Sequence, residues 1–87
     1  MVVSEFFEIK IKFDNNNKYN RAHFYAEYKD YSIVVDIAEY KVIEGYMPRR
    51  QLNMILGWCA LHEDEIMQNW ALLTEGLELE QIKGLRK

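Results

Sequence analysis

The stretch Pro48 to Thr74, PRRQLNMILGWCALHEDEIMQNWALLT, limits what this chain can fold into more than any other. Pro48 suits a first helical turn, because its fixed φ matches a helix and its missing N–H would have no intrahelical partner there. Gly76, beyond the far end, suits a left-handed cap. Between them the sequence has a single glycine, Gly57. One long helix over 48–75 is the expectation.

Taking Leu52 as zero and stepping about 100° per residue puts Ile55, Leu56, Cys59, Ile66, Met67, Trp70 and Leu73 within roughly 60° of it. That set is a core stripe. Met54, Trp58, Leu61 and Leu72 fall roughly 180–240° away, where a helix lying on one sheet turns to water. A helix apolar on both sides needs a second cover, which is the segment carrying Leu77, Leu79, Ile82 and Leu85, a second copy of the chain, or a partner. Glu63 falls inside the first stripe. It is expected either as an edge carboxylate paired with a cation or with strand N–H groups, or as a desolvated acid with a raised pKa.

Ahead of the helix the pattern changes to period two. Phe7, Ile9, Ile11 and Phe13 alternate with Glu8, Lys10 and Lys12, which reads as a half-buried strand. The polar run Asp14 to Asn20 follows as the longest irregular loop. Arg21 to Tyr28 is a second strand, with Ala22, Phe24, Ala26 and Tyr28 on one side and Arg21, His23, Tyr25 and Glu27 on the other. Lys29-Asp30 joins it by a tight turn to a third strand with Tyr31, Ile33, Val35 and Ile37 inward. After Ala38-Glu39, Tyr40 to Gly45 forms a fourth strand carrying Val42, with Ile43 on the opposite side. The fold expected is α+β, a four-stranded antiparallel meander (β-β-β-β-α) over residues 5–46 with the helix packed on one face and a tail over 76–87.

Eighty-seven residues make one domain with a modest core, and the 49% apolar and 14% aromatic content excludes a disordered chain. Residues 1–50 carry eight basic and eight acidic side chains, whereas residues 51–87 carry three and six, so the net charge of −3 lies in the helix and tail. Non-specific nucleic-acid binding needs a basic surface, so that class is disfavoured, although local contacts to RNA or DNA stay open. The single Cys59 rules out a disulfide framework and is expected as a buried structural thiol. No run approaches the eighteen or so apolar residues of a membrane span, and Met1-Val-Val-Ser-Glu lacks the features of a signal peptide. A soluble cytoplasmic protein is the expectation.

If the hairpin is in register, Arg21, His23, Tyr25 and Glu27 share the open sheet face with Ser32 and Asp36. These are residue types used for general acid–base work or phosphate handling, and also those of an ordinary solvated face. His23, Tyr25 and Glu27 are the candidate catalytic set. Arg49-Arg50 at the helix start is a candidate anion contact. His62-Glu63-Asp64-Glu65 lacks the second histidine of a helical zinc motif, so no metal is expected, and no phosphate loop, nucleophile elbow or CxxC points to a cofactor.

The segments NRAHFYAEY (20–28), VDI (35–37), VIEG (42–45), MPRR (47–50) and WCALHEDEIMQNW (58–70) resemble the bacterial family called domain of unknown function 4160, over roughly residues 5–83. The family pattern has an NPPHFHA-like segment. Here Arg21-Ala22 stands in place of two prolines and Tyr25 in place of the second histidine, so only His23 carries over. The resemblance implies a gene lying beside a small protein of the family called domain of unknown function 2442, a pairing read as toxin–antitoxin-like.

The leading expectation is a small interaction module that binds that neighbour, or a second copy, through Met54, Trp58, Leu61 and Leu72. The alternative is a nucleic-acid-directed, ribonuclease-like toxin using His23, Tyr25 and Glu27, with Arg21, Arg49 or Arg50 on phosphate. A small-ligand binder using the open sheet face and the Asn-rich loop is a third class.

Overall fold

The computed structural model describes residues 1–14 and 21–86. Five strands form one antiparallel sheet in chain order: β1 Val2–Phe6, β2 Ile9–Lys12, β3 His23–Tyr28, β4 Tyr31–Asp36 and β5 Val42–Tyr46. Two helices follow, α1 Arg49–Leu61 and α2 Glu63–Thr74. The α+β class and the antiparallel meander are as expected, with one more strand and one more helix. The loop expected over Asn15–Asn20 lies outside the described residues.

The additional strand is β1, which pairs with β2 through a two-residue turn, Phe7-Glu8. Both turn residues have positive φ, 50° and 67°, the signature of a type I′ turn. Such turns normally carry Asn-Gly, so neither residue announces one. Phe7, expected at the inward start of a strand, is instead at this turn and exposed. The Lys29-Asp30 hairpin forms as expected, with Tyr28 opposite Tyr31 and His23 opposite Asp36.

The helical stretch is interrupted at His62, whose φ of −126° and ψ of 30° leave the α region. The His62 N–H still donates to the carbonyls of Trp58 and Cys59, while its own carbonyl accepts from Ile66. Three acids, Glu63, Asp64 and Glu65, then occupy the first turn of α2. Acids at a helix N-terminus are stabilised by its unpaired N–H groups and dipole, whereas mid-helix they gain nothing from it. Glu63 is therefore an exposed first-turn acid, not a stripe residue. Past His62 the single-helix phase fails, so Met67 is exposed while Ile66 and Asn69 are buried. α2 ends at Gly76, where a φ of 72° lets the N–H groups of Gly76 and Leu77 return to the carbonyls of Leu73 and Leu72.

The core lies between the sheet, α1 and the C-terminal segment. Ile9, Ile11, Phe13, Phe24, Ala26, Ile33, Val35 and Ile37 meet Ile55, Trp58 and Cys59, and Leu79 and Ile82 close the side. The two apolar groups on α1 are one arc, because Ile55 stands about 60° from both Leu52 and Trp58. Trp58 is 0% exposed. Its ring stacks on Phe6 and meets Phe24 edge-on, and its Nε1–H donates to the Lys83 carbonyl at 2.8 Å. The tail is the second cover. It is held further by Asn69, whose side-chain amide both donates to and accepts from the backbone of Glu80, and by the Ile82 N–H, which donates to Val3 on the free edge of β1. Among the described residues no helix is long and apolar enough to cross a membrane.

Candidate functional site

The antiparallel meander sorts the candidate residues to two ends of the sheet. β3 starts at His23 and β4 ends at Asp36, so these two define one end; the turns Phe7-Glu8 and Lys29-Asp30 and the junction Tyr46 to Arg49 define the other. The ends are about 17 Å apart, the length of β3 at about 3.4 Å per residue.

At the first end His23 is 1% exposed. Its ring lies 5.3 Å from Trp70 of α2 and 5.6 Å from Tyr25, and its Nδ1 is 2.8 Å from the Arg21 carbonyl. A carbonyl only accepts, so Nδ1 carries the hydrogen and Nε2 is the position left for base chemistry. That atom is buried. Asp36 opposite is buried too; one carboxylate oxygen accepts from the Glu39 N–H at 2.8 Å and the other lies 3.7 Å from Arg21. Asp36 thus anchors the loop leaving β4. Glu27 lies nearer the other end of β3 and pairs with Lys12 at 3.1 Å. His23, Tyr25, Arg21 and Asp36 do come together as the register required, but His23 and Asp36 are buried, His23 against Trp70, while Tyr25 is half-buried and Arg21 is exposed. The His23 ring is thus closed off from solvent.

Cys59 is buried and Tyr40, partly buried, packs against the same core. Burial pushes the Cys59 thiol up to about 12, with Glu63 adding to the shift and a backbone hydrogen bond opposing it. Tyr40 is also raised to about 12, first by burial and then by Cys59, Glu63 and Asp64. Both stay protonated at neutral pH, so Cys59 is no nucleophile there. Among the described residues no group of three or more His, Cys, Asp or Glu side chains is arranged to hold a metal ion.

At the second end large apolar side chains face solvent: Phe7, Tyr31 and, at 68% exposed, Tyr46. Tyr28 and Tyr31 stack at 6.5 Å, and Tyr31 meets Tyr46 at 5.7 Å, forming an aromatic strip across β3, β4 and β5. Beside it a cavity of about 300 Å³ is lined by Phe7, Glu8, Tyr28, Arg50, Gln51 and Met54. Arg49 and Arg50 are exposed here, at the opposite end of the sheet from His23, so of the three arginines expected to share its site only Arg21 does.

The expected interface stripe is likewise divided. Met54 joins Arg50 at the cavity, Trp58 is core, Leu72 packs partly against the core, and Leu61 stands 70% exposed near the end of α1. Sequence reasoning missed Phe7, Tyr31 and Tyr46 as surface residues because it assigned the first two to inward strand positions. The exposed ends were legible only in the short connections beside them.

These features define a small α+β domain whose solvent-facing aromatics gather at one end of an antiparallel meander. The chain belongs to the family described as Domain of unknown function (DUF4160), whose model matches residues 8–71. No curated protein and no solved structure matches it.

Proposed function

We propose that this domain is a binding module, one half of a two-gene, toxin–antitoxin-like pair, and that it engages a small partner protein through the end of the sheet carrying Phe7, Tyr31, Tyr46, Arg49 and Arg50. The observation that carries this reading is the gathering of exposed aromatics at that end, while Trp58 and His23 are both buried. Exposed tyrosines beside arginines are the residue types enriched in interface centres. The two-gene pairing itself rests on the family resemblance. Trp58, the centre of the helix stripe, is not available for the purpose, since it is buried and bonded to the chain's own tail.

Light scattering of the purified protein, alone and co-expressed with the small protein encoded beside it, tests the reading. A stable complex that is lost in Tyr46→Glu, with the melting temperature unchanged, supports it. A monomer indifferent to its neighbour, or a complex that tolerates both Tyr46→Glu and Tyr31→Glu, refutes it. The nucleic-acid-directed alternative draws its support from the juxtaposition of His23, Tyr25 and Arg21, and the burial of His23 counts against it.

A further inference from the structure

The cavity at the start of α1 has a chemistry that a flat protein interface does not require. Two of its walls are aromatic, Phe7 and Tyr28, and a third is the Met54 thioether. Its polar residues are one cation, Arg50, one carboxylate, Glu8, and one amide, Gln51. Among the described residues the side chains of Arg50 and Glu8 form no ion pair or hydrogen bond, with each other or with another residue. No acid stands in the first turn of α1 to neutralise Arg50.

The turn that supplies Phe7 and Glu8 is built at a cost. A bulky residue at a φ of 50° is a conformational outlier, and this one is also an apolar side chain left partly exposed. Asn-Gly would close the same hairpin without strain. What Phe7-Glu8 supplies instead is a ring and a carboxylate at the cavity.

We infer that this cavity binds an apolar α-amino-acid unit with a free carboxylate. The ligand carboxylate faces Arg50, its N–H or ammonium faces Glu8, and its side chain packs against Phe7, Tyr28 and Met54. Unpaired opposite charges in one small cavity orient such a ligand one way round, since the reverse orientation opposes like charges. The site is an open cleft, and its volume of about 300 Å³, at the lower limit of the roughly 300–1,000 Å³ of small-molecule sites, suits one residue. The ligand is either a free amino acid or the C-terminal residue of a polypeptide, which share this chemistry.

The test is a titration of the isotope-labelled full chain, followed by amide NMR shifts, with L-phenylalanine, N-acetyl-L-phenylalanine and L-phenylalaninamide. The inference requires saturable shifts at Glu8, Arg50 and Gln51 with at least one of the two carboxylates and none with the amide. Arg50→Gln, whose melting temperature should match the parent, weakens that binding about tenfold or more. Binding of the free amino acid that falls in Glu8→Gln assigns a metabolite; binding of the N-acetyl form alone assigns a chain terminus. Failure of both carboxylates to saturate, equal binding of the amide, or indifference to Arg50→Gln overturns the inference. Because the probes are small molecules, this result is independent of whether a protein partner exists.

Discussion

The indole N–H of Trp58, in the last turn of α1, donates at 2.8 Å to the carbonyl oxygen of Lys83, near the C-terminus. That bond ties the tail to a tryptophan whose ring also packs on Phe6 and Phe24 of the sheet, and together these contacts bury it completely. The tail is therefore part of the fold.

Removing residues 77–86 should cost about 3–6 kcal/mol from the lost burial of Leu79 and Ile82, a large share of the roughly 5–15 kcal/mol that holds a small domain. Trp58→Phe should cost about 1 kcal/mol for the hydrogen bond, whereas Trp58→Glu should unfold the protein by burying a charge. Asn69→Ala should cost about 2 kcal/mol for its two bonds to Glu80 and speed hydrogen exchange at the Ile82 amide. Chemical denaturation measures all of these. A truncated chain as stable as the parent would show that the tail is merely laid on.

Gly45→Ala should destabilise by about 3 kcal/mol, because the position has a φ of 92° and an added Cβ would clash with the Ser32 carbonyl oxygen. Gly57→Ala, in a helix interior with nothing within 4 Å of the added methyl, should stabilise by about 0.5–1 kcal/mol. Equal melting temperatures for the two variants would contradict this assignment of β5 and α1.

Replacing Phe7-Glu8 by Asn-Gly should relax the β1–β2 turn and raise stability by about 1–2 kcal/mol, while removing one aromatic wall and the carboxylate of the cavity. A thermal melt that falls instead would mean that the Phe7 ring contributes more to packing than its backbone loses.

Stability should be insensitive to Cys59 and Tyr40 up to about pH 9 and fall from there toward pH 12. Both groups ionise at higher pH folded than unfolded, about 12 against ordinary values of 9.0 and 10.0. Above those ordinary values the unfolded chain has lost protons that the folded chain keeps, so rising pH favours unfolding. Cys59→Ala should flatten the early part of this fall in a series of melts across pH. Native Cys59 should also alkylate far more slowly than the denatured chain at pH 8; equal rates would contradict its burial.

Much of the architecture was legible because it follows from local periodicity. The alternation around Ile9, Phe24 and Ile33 reports strand faces directly, and the Lys29-Asp30 spacing fixed the hairpin that sets His23 opposite Asp36. β1 was not legible, since Phe7-Glu8 forms a type I′ turn without the residues that favour one. The interruption at His62 lacked a proline or glycine to mark it. Its one trace was the run of three acids that belongs at a helix start.

The sequence by itself determined the fold class, the inward positions in the middle of the strands, the buried Cys59 and the need for a second cover over α1, because each depends on residue type and spacing along one element. Only the tertiary structure decided that the tail is that cover, that His23 lies beneath Trp70, and that Arg50 joins Phe7, Tyr28 and Met54 instead of His23. Those outcomes depend on how elements distant in the chain pack, and hydrophobic burial is non-directional. A pattern can thus state that a surface must be covered without stating which segment covers it.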